Sequence, residues 1–198
     1  MLSTVPTPMP VIHHATSSGS YSSTIVDEMF QDRELLCIGE IDRGLASSLI
    51  VQLRHLEKLD PTGEVTLLVN SNGGEVSSGL ALYDVMQAVS CPIRTVCMGT
   101  AASMASIILM AGSQRDMLAH STVMIHDPLI SGGVGGSALS IDSVAKSIMH
   151  TRDVIAGIVS RHTGKTVEEV LEATAHDAYF EAQEAIEWGL ADRIISEI

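Results

Sequence analysis

The chain has 198 residues, a formal net charge of −13, 45% hydrophobic residues and only 3% aromatics. That length fits one domain with an aliphatic core. The acidic balance excludes a phosphate-neutralising nucleic-acid surface and an anionic membrane surface as partners.

Residues 1–24, "MLSTVPTPMPVIHHATSSGSYSST", are rich in Pro, Ser and Thr and read as a flexible or conditionally ordered arm. The pair His13–His14 has no third metal ligand nearby in sequence, so it reads as part of a solvated arm, and no metal site is expected. Residues 25–198 read as one domain. Within it strands alternate with helices. "ELLCIGE" (34–40) is a strand, and 42–59 an amphipathic helix with Leu45, Leu49, Leu53 and Leu56 on one face. A strand over 64–70, a helix over 77–89 and a strand over 93–99 follow. A helix carrying Ser103 precedes the strand "STVMIHD" (121–127). The glycine-rich "ISGGVGGS" (130–137) leads to a long helix over about 139–161, two shorter helices and a closing strand "RIIS". This alternation predicts an α/β domain with a largely parallel sheet.

Cys37, Cys91 and Cys97 lie in or beside apolar runs and read as buried free thiols of a reducing compartment. The first 20 residues lack a basic segment followed by an apolar run, and no run approaches the roughly 20 residues of a membrane span. A cytoplasmic location is therefore expected.

Three stretches carry chemistry. In "VNSNGGEVSSG" (69–79), Gly73 and Gly74 precede a helix. They make either a tight strand-to-helix turn or an anion site built of backbone N–H groups. In "GTAASMASIILMAG" (99–112), Ser103 stands where strand gives way to helix, as a cap, a packing residue or a nucleophile. In "VMIHDP", His126 ends an apolar strand, where a parallel sheet places functional groups and an imidazole can accept a serine proton. Asp127 is adjacent to His126 and points to the other face, so an orienting acid must come from elsewhere. Asp177, in a link between two helices, is the candidate. Together these fit a serine hydrolase, in the order Ser, His, Asp.

"VNSNGGEVSSGLALYDVM", "CMGTAASMAS", "STVMIHDP" and "AHDAYFEAQEAIEWGLAD" resemble the ClpP family of ATP-dependent serine peptidases over about residues 27–195. The resemblance implies a crotonase-like α/β fold with a protruding strand–helix handle over the glycine-rich stretch and long helix. It implies Ser103 as nucleophile, His126 as general base and Asp177 as orienting acid, with Gly74 and Met104 supplying oxyanion-hole N–H groups. It also implies two stacked heptameric rings that degrade unfolded polypeptides with a hexameric AAA+ unfoldase. That unfoldase, not this chain, would use ATP, so no cofactor is expected. Where the family often carries aromatics that dock the unfoldase, this chain has Thr66, Leu68 and Ala88, and where it often has Arg before the acid, His176. A regulatory or structural subunit in a mixed ring with a second ClpP paralogue is the alternative. A crotonase-type acyl-CoA enzyme fits less well, because that class lacks the triad.

Overall fold

The computed structural model describes residues 10–130 and 135–198. Its centre is a seven-stranded sheet ordered β3-β4-β5-β6-β9, with β7 beside β5 and β8 beside β7. The strands are β3 (Glu34–Ile38), β4 (Val65–Ser71), β5 (Ile93–Ala102), β6 (Gln114–Leu118), β7 (Thr122–Ile125), β8 (Ala178–Glu181) and β9 (Arg193–Ile195). Every pair is parallel except β7–β8. The α/β class and parallel sheet expected from sequence are present.

Helices cover the sheet. In α2 (Arg43–Leu59), Asp42 caps the first turn by accepting from Leu45 N–H, and Ala46, Leu49, Leu53 and Leu56 are buried. The buried stripe thus starts at Ala46 rather than Leu45. In α4 (Met104–Met110) all seven residues are buried, so this helix runs through the core. Such a helix must be apolar on nearly every side, as "MASIILM" is apart from Ser106, whose hydroxyl is satisfied by Ser103 O. β4 is buried at five of seven positions, as expected of a strand covered on both faces.

Three segments carry structure that the sequence pattern does not place. Within the stretch read as a flexible or conditionally ordered arm, residues 11–24 form a hairpin of β1 (Val11–Thr16) and β2 (Gly19–Thr24). Thr24 then starts α1 (Ile25–Gln31) through a capping box with Asp27. His14 bonds Ser23 and Glu28 and stacks on Tyr21. β6 escapes periodicity because "QRDML" carries adjacent charges. Its Asp116 is fully buried between Arg94 (2.7 Å) and Arg193 (2.8 Å). β8 is only four residues long.

α3 (Val76–Ala88), α6 (Val167–Thr174) and α7 (Ala182–Trp188) lie close to their sequence-predicted positions. The long helix α5 (Ala138–Thr163) buries only its second half, at Ile155, Ala156, Ile158 and Val159. Leu139 in its first turn is 82% exposed. That half projects as the helical part of a handle. Residues 131–134, half of the stretch 130–137 in which the handle strand is expected, lie outside the described residues. No helix among the described residues is long and apolar enough to cross a membrane. All three cysteines are buried and free, and burial pushes the Cys37 thiol up to about 12.

Candidate active site

Three neighbouring strands end at one place. β5 pairs with β6 as far as Cys97 and with β7 from Thr100 onward. The change of partner coincides with a register shift against β4 and with Gly99 at φ +118°. Such a backbone angle is open to glycine and costly for other residues. β5 therefore carries Ser103 out beside the end of β7, where Ser103 N–H donates to Met124 O at 2.9 Å. β7 pairs with β8 in the register Ile125↔Ala178. One step further along the same antiparallel register sets His126 opposite Asp177.

Ser103 occupies the N-cap position of α4, yet its side chain makes no capping hydrogen bond. Its Oγ instead lies 2.8 Å from His126 Nε2. Its backbone is at φ 54°, ψ −125°, one of two non-glycine residues with positive φ among the described residues. A strained turn between strand and helix lifts a nucleophile's hydroxyl clear of the helix axis. Ser106 supports the turn by donating its Oγ–H to Ser103 O at 2.6 Å. The cap and packing roles that the sequence leaves open for Ser103 are not the ones its hydroxyl performs.

His126 is 12% exposed at its side chain, and its Nδ1 lies 3.7 Å from Asp177 Oδ1. Asp177 itself is 59% exposed. The separation exceeds hydrogen-bond length, a looseness common before substrate binds. Asp127, two residues beyond the end of β7, pairs with Arg152 instead of the ring.

The diglycine turn closes the site from the β4 side. A Cβ added to Gly73 would stand 2.7 Å from Ala102 O and Ser103 Cβ, and 3.0 Å from Met104 N. Only a glycine lets the loop lie this close to the Ser103 turn. Gly74 bridges to Ile41, using its neighbours' hydrogen bonds, Ile41 N–H to Gly73 O and Glu75 N–H to Ile41 O. The N–H groups of Gly74 and Met104 donate to no backbone carbonyl among the described residues. Met104 is the first residue of α4, at the positive end of that helix.

Beside Ser103 and His126 lies a small, partly open apolar pocket whose walls include Val76, Met104, Ile107, Ile125, Ile155, Val159 and Thr174. Sequence reasoning missed it, because its walls come from α3, α4, β7 and α5 at once. A solvated peptide carbonyl next to a bound aliphatic side chain would meet Ser103 Oγ, a proton acceptor and unused N–H donors together. That arrangement suits acyl transfer. Among the described residues no group of three His, Cys, Asp or Glu side chains could hold a metal ion.

Comparison with known proteins agrees with this chemistry. The family described as Clp protease matches residues 17–198. The ATP-dependent Clp protease proteolytic subunit 2 of Nocardia farcinica is 39% identical over 188 residues, 94% of this chain and 92% of that protein.

Proposed function

This chain belongs to the Clp protease family, and from that premise we propose that it is a serine endopeptidase in which Ser103, His126 and Asp177 form the triad. The observation that carries the reading is the 2.8 Å contact of His126 Nε2 with a serine that occupies a helix cap without capping it. Ser103 Oγ attacks the scissile carbonyl and passes its proton to His126. The resulting imidazolium faces Asp177. The carbonyl oxygen, now an oxyanion, accepts from Gly74 and Met104 N–H. His126 then returns the proton to the leaving amine as the C–N bond breaks. Water, deprotonated by the same imidazole, releases the acyl group from Ser103. The apolar pocket takes the side chain next to the cleaved bond and favours aliphatic residues.

The working form is a pair of stacked heptameric rings fed with unfolded polypeptide by a hexameric AAA+ unfoldase, which alone consumes ATP. The projecting, apolar first half of α5, with Leu139 and Ile141 exposed, supports a ring-to-ring contact there. A mixed ring with a second paralogue is the other reading. It is favoured by Thr66 and Ala88, small side chains where an unfoldase would need apolar anchors. Labelling with a fluorophosphonate tests the catalytic reading. One adduct per chain on Ser103, absent from Ser103→Ala, supports it, and no adduct on assembled protein overturns it. Native mass spectrometry of the purified chain distinguishes homomeric from mixed rings.

A further inference from the structure

Asp127 follows the catalytic histidine but takes no part in the triad. It makes three bonds instead. Its Oδ2 accepts from Arg152 Nε of α5 at 2.7 Å. Its Oδ1 lies 3.0 Å from Thr174 Oγ1, at the last residue of α6. Its backbone N–H donates to Thr174 O at 2.9 Å. Thr174 is buried (4% exposed), and its hydroxyl proton is shared with Val170 O, also at 3.0 Å. A short strand end, a long helix and a short helix are thus tied at one carboxylate.

The location gives these bonds a consequence. Thr174 stands three residues before Asp177, and only Ala175 and His176 lie between. On its far side, Asp177 is held by the pairing of β8 with β7. The exposed link that carries the acid is therefore anchored at one end by strand pairing to β7 and at the other by Asp127, two residues beyond the end of β7. His126 follows the last residue of β7 directly, one residue before Asp127. A displacement of Thr174 relative to Asp127 changes the distance between His126 Nδ1 and Asp177 Oδ1, the loosest distance in the site at 3.7 Å. Arg152 adds α5 to the linkage, so its projecting half is mechanically joined to the acid.

We infer that Asp127, with Thr174 and Arg152, is a positioning clamp that sets Asp177 against His126. The inference rests on the triad proposed above. The clamp touches no reacting atom, so its loss acts first on turnover; Thr174 also lines the substrate pocket, and KM reads that second role separately. A misplacement near 1 Å in a catalytic group lowers the rate by about a hundredfold.

The test measures peptide hydrolysis by assembled protein, with kcat expressed per Ser103 titrated to completion by fluorophosphonate, so that an unfolded fraction does not count. Thr174→Val keeps shape and charge but removes the hydroxyl. Asp127→Asn removes the charge. Each is expected to lower kcat about ten- to hundredfold with KM within about twofold. Thr174→Ser, which restores the hydroxyl, is expected to return kcat to within about threefold of the wild type. If Asp127→Asn does not fold, the Thr174→Val and Thr174→Ser pair decides alone. Wild-type kcat in Thr174→Val overturns the clamp. So does a loss confined to KM, which would make Thr174 only a wall of the pocket it lines. Absence of label on the wild-type protein overturns the triad itself, and the clamp with it.

Discussion

Replacing Gly73 by alanine tests the geometry of the site without touching a reacting group. The new Cβ would meet Ala102 O and Ser103 Cβ at 2.7 Å and Met104 N at 3.0 Å. Ordinary non-bonded carbon contacts lie near 3.5–4.0 Å, so the loop and the Ser103 turn must separate by roughly 1 Å. All three contacts are backbone or Cβ atoms, which cannot rotate away. A shift of that size at a nucleophile and its oxyanion donor costs about a hundredfold in rate, or about 2.7 kcal/mol of barrier. Gly73 also has φ +95°, so alanine adds backbone strain of about 1–2 kcal/mol. Gly164, the cap of α5, separates the two effects. It has φ +73°, and a Cβ there meets nothing within 4 Å. Gly164→Ala is therefore expected to lower the thermal midpoint by about 2–8 °C and keep kcat/KM. Gly73→Ala is expected to show a similar thermal loss and a kcat/KM about a hundredfold lower on a short fluorogenic peptide. Equal activities in the two variants would refute the idea that the diglycine turn is built against the Ser103 turn.

Ser103→Ala should reduce peptide hydrolysis by at least about a thousandfold and leave the thermal midpoint within a few degrees, because its hydroxyl caps no helix. Residual turnover of more than a few per cent would transfer the nucleophile's role elsewhere. For the buried Asp116, burial alone would raise the carboxyl pKa, but hydrogen bonds from Arg193, Arg94 and Gln114 outweigh it and hold the value below the usual range. A carboxylate with a lower pKa folded than unfolded stabilises the fold above about pH 4 and loses that contribution as pH falls through the folded value. Asp116→Asn should destabilise the protein by about 3–5 kcal/mol at neutral pH and flatten the acid limb of stability in urea titrations. An unchanged acid limb would assign that limb to other groups. Activity should also follow assembly, because Asp177 is 59% exposed and 3.7 Å from His126 in the isolated chain. The proposed rings, when separated by salt, should lose at least about tenfold in peptidase rate, as misplacement of a catalytic group predicts, when gel-filtration fractions are assayed. A lone ring with full activity would refute this.

The alternation of apolar runs made the sheet legible, because parallel strands covered on both faces are nearly continuous in Val, Leu and Ile. β6 was not legible. Asp116 and Arg115 break its apolar pattern, and their partners Arg94, Arg193 and Asp192 lie on other elements or far along the chain. Ser103 and His126 could be singled out because each stands at the end of a recognisable strand. Asp177 could be placed only as a carboxylate in a link between helices. The strand β8 that starts beside it is four residues long and was invisible to periodicity. That strand is the physical reason for the pairing. Antiparallel to β7, it carries the register Ile125↔Ala178 one step on, to His126 and Asp177.

The order Ser, His, Asp in the chain then follows from the order of the strands in space. β5, β7 and β8 are neighbours, and each delivers one group at the same end of the sheet. For β5 to reach β7 it must first leave β6, which is where Gly99 lies, with Asn70 Oδ1 only 2.8 Å from any Cβ placed there. Unlike Gly73, which is pressed against backbone, Gly99 would meet only the movable amide end of Asn70, so its φ of +118° is what calls for glycine at the strand switch. The acidic residue beside His126 completes the logic. Just beyond the end of β7, the Asp127 carboxylate is bonded to Arg152 of α5 and Thr174 of α6, while the His126 ring meets Ser103. Two adjacent residues thus face different partners, which suits the proposed division into a base and the anchor of that base's partner.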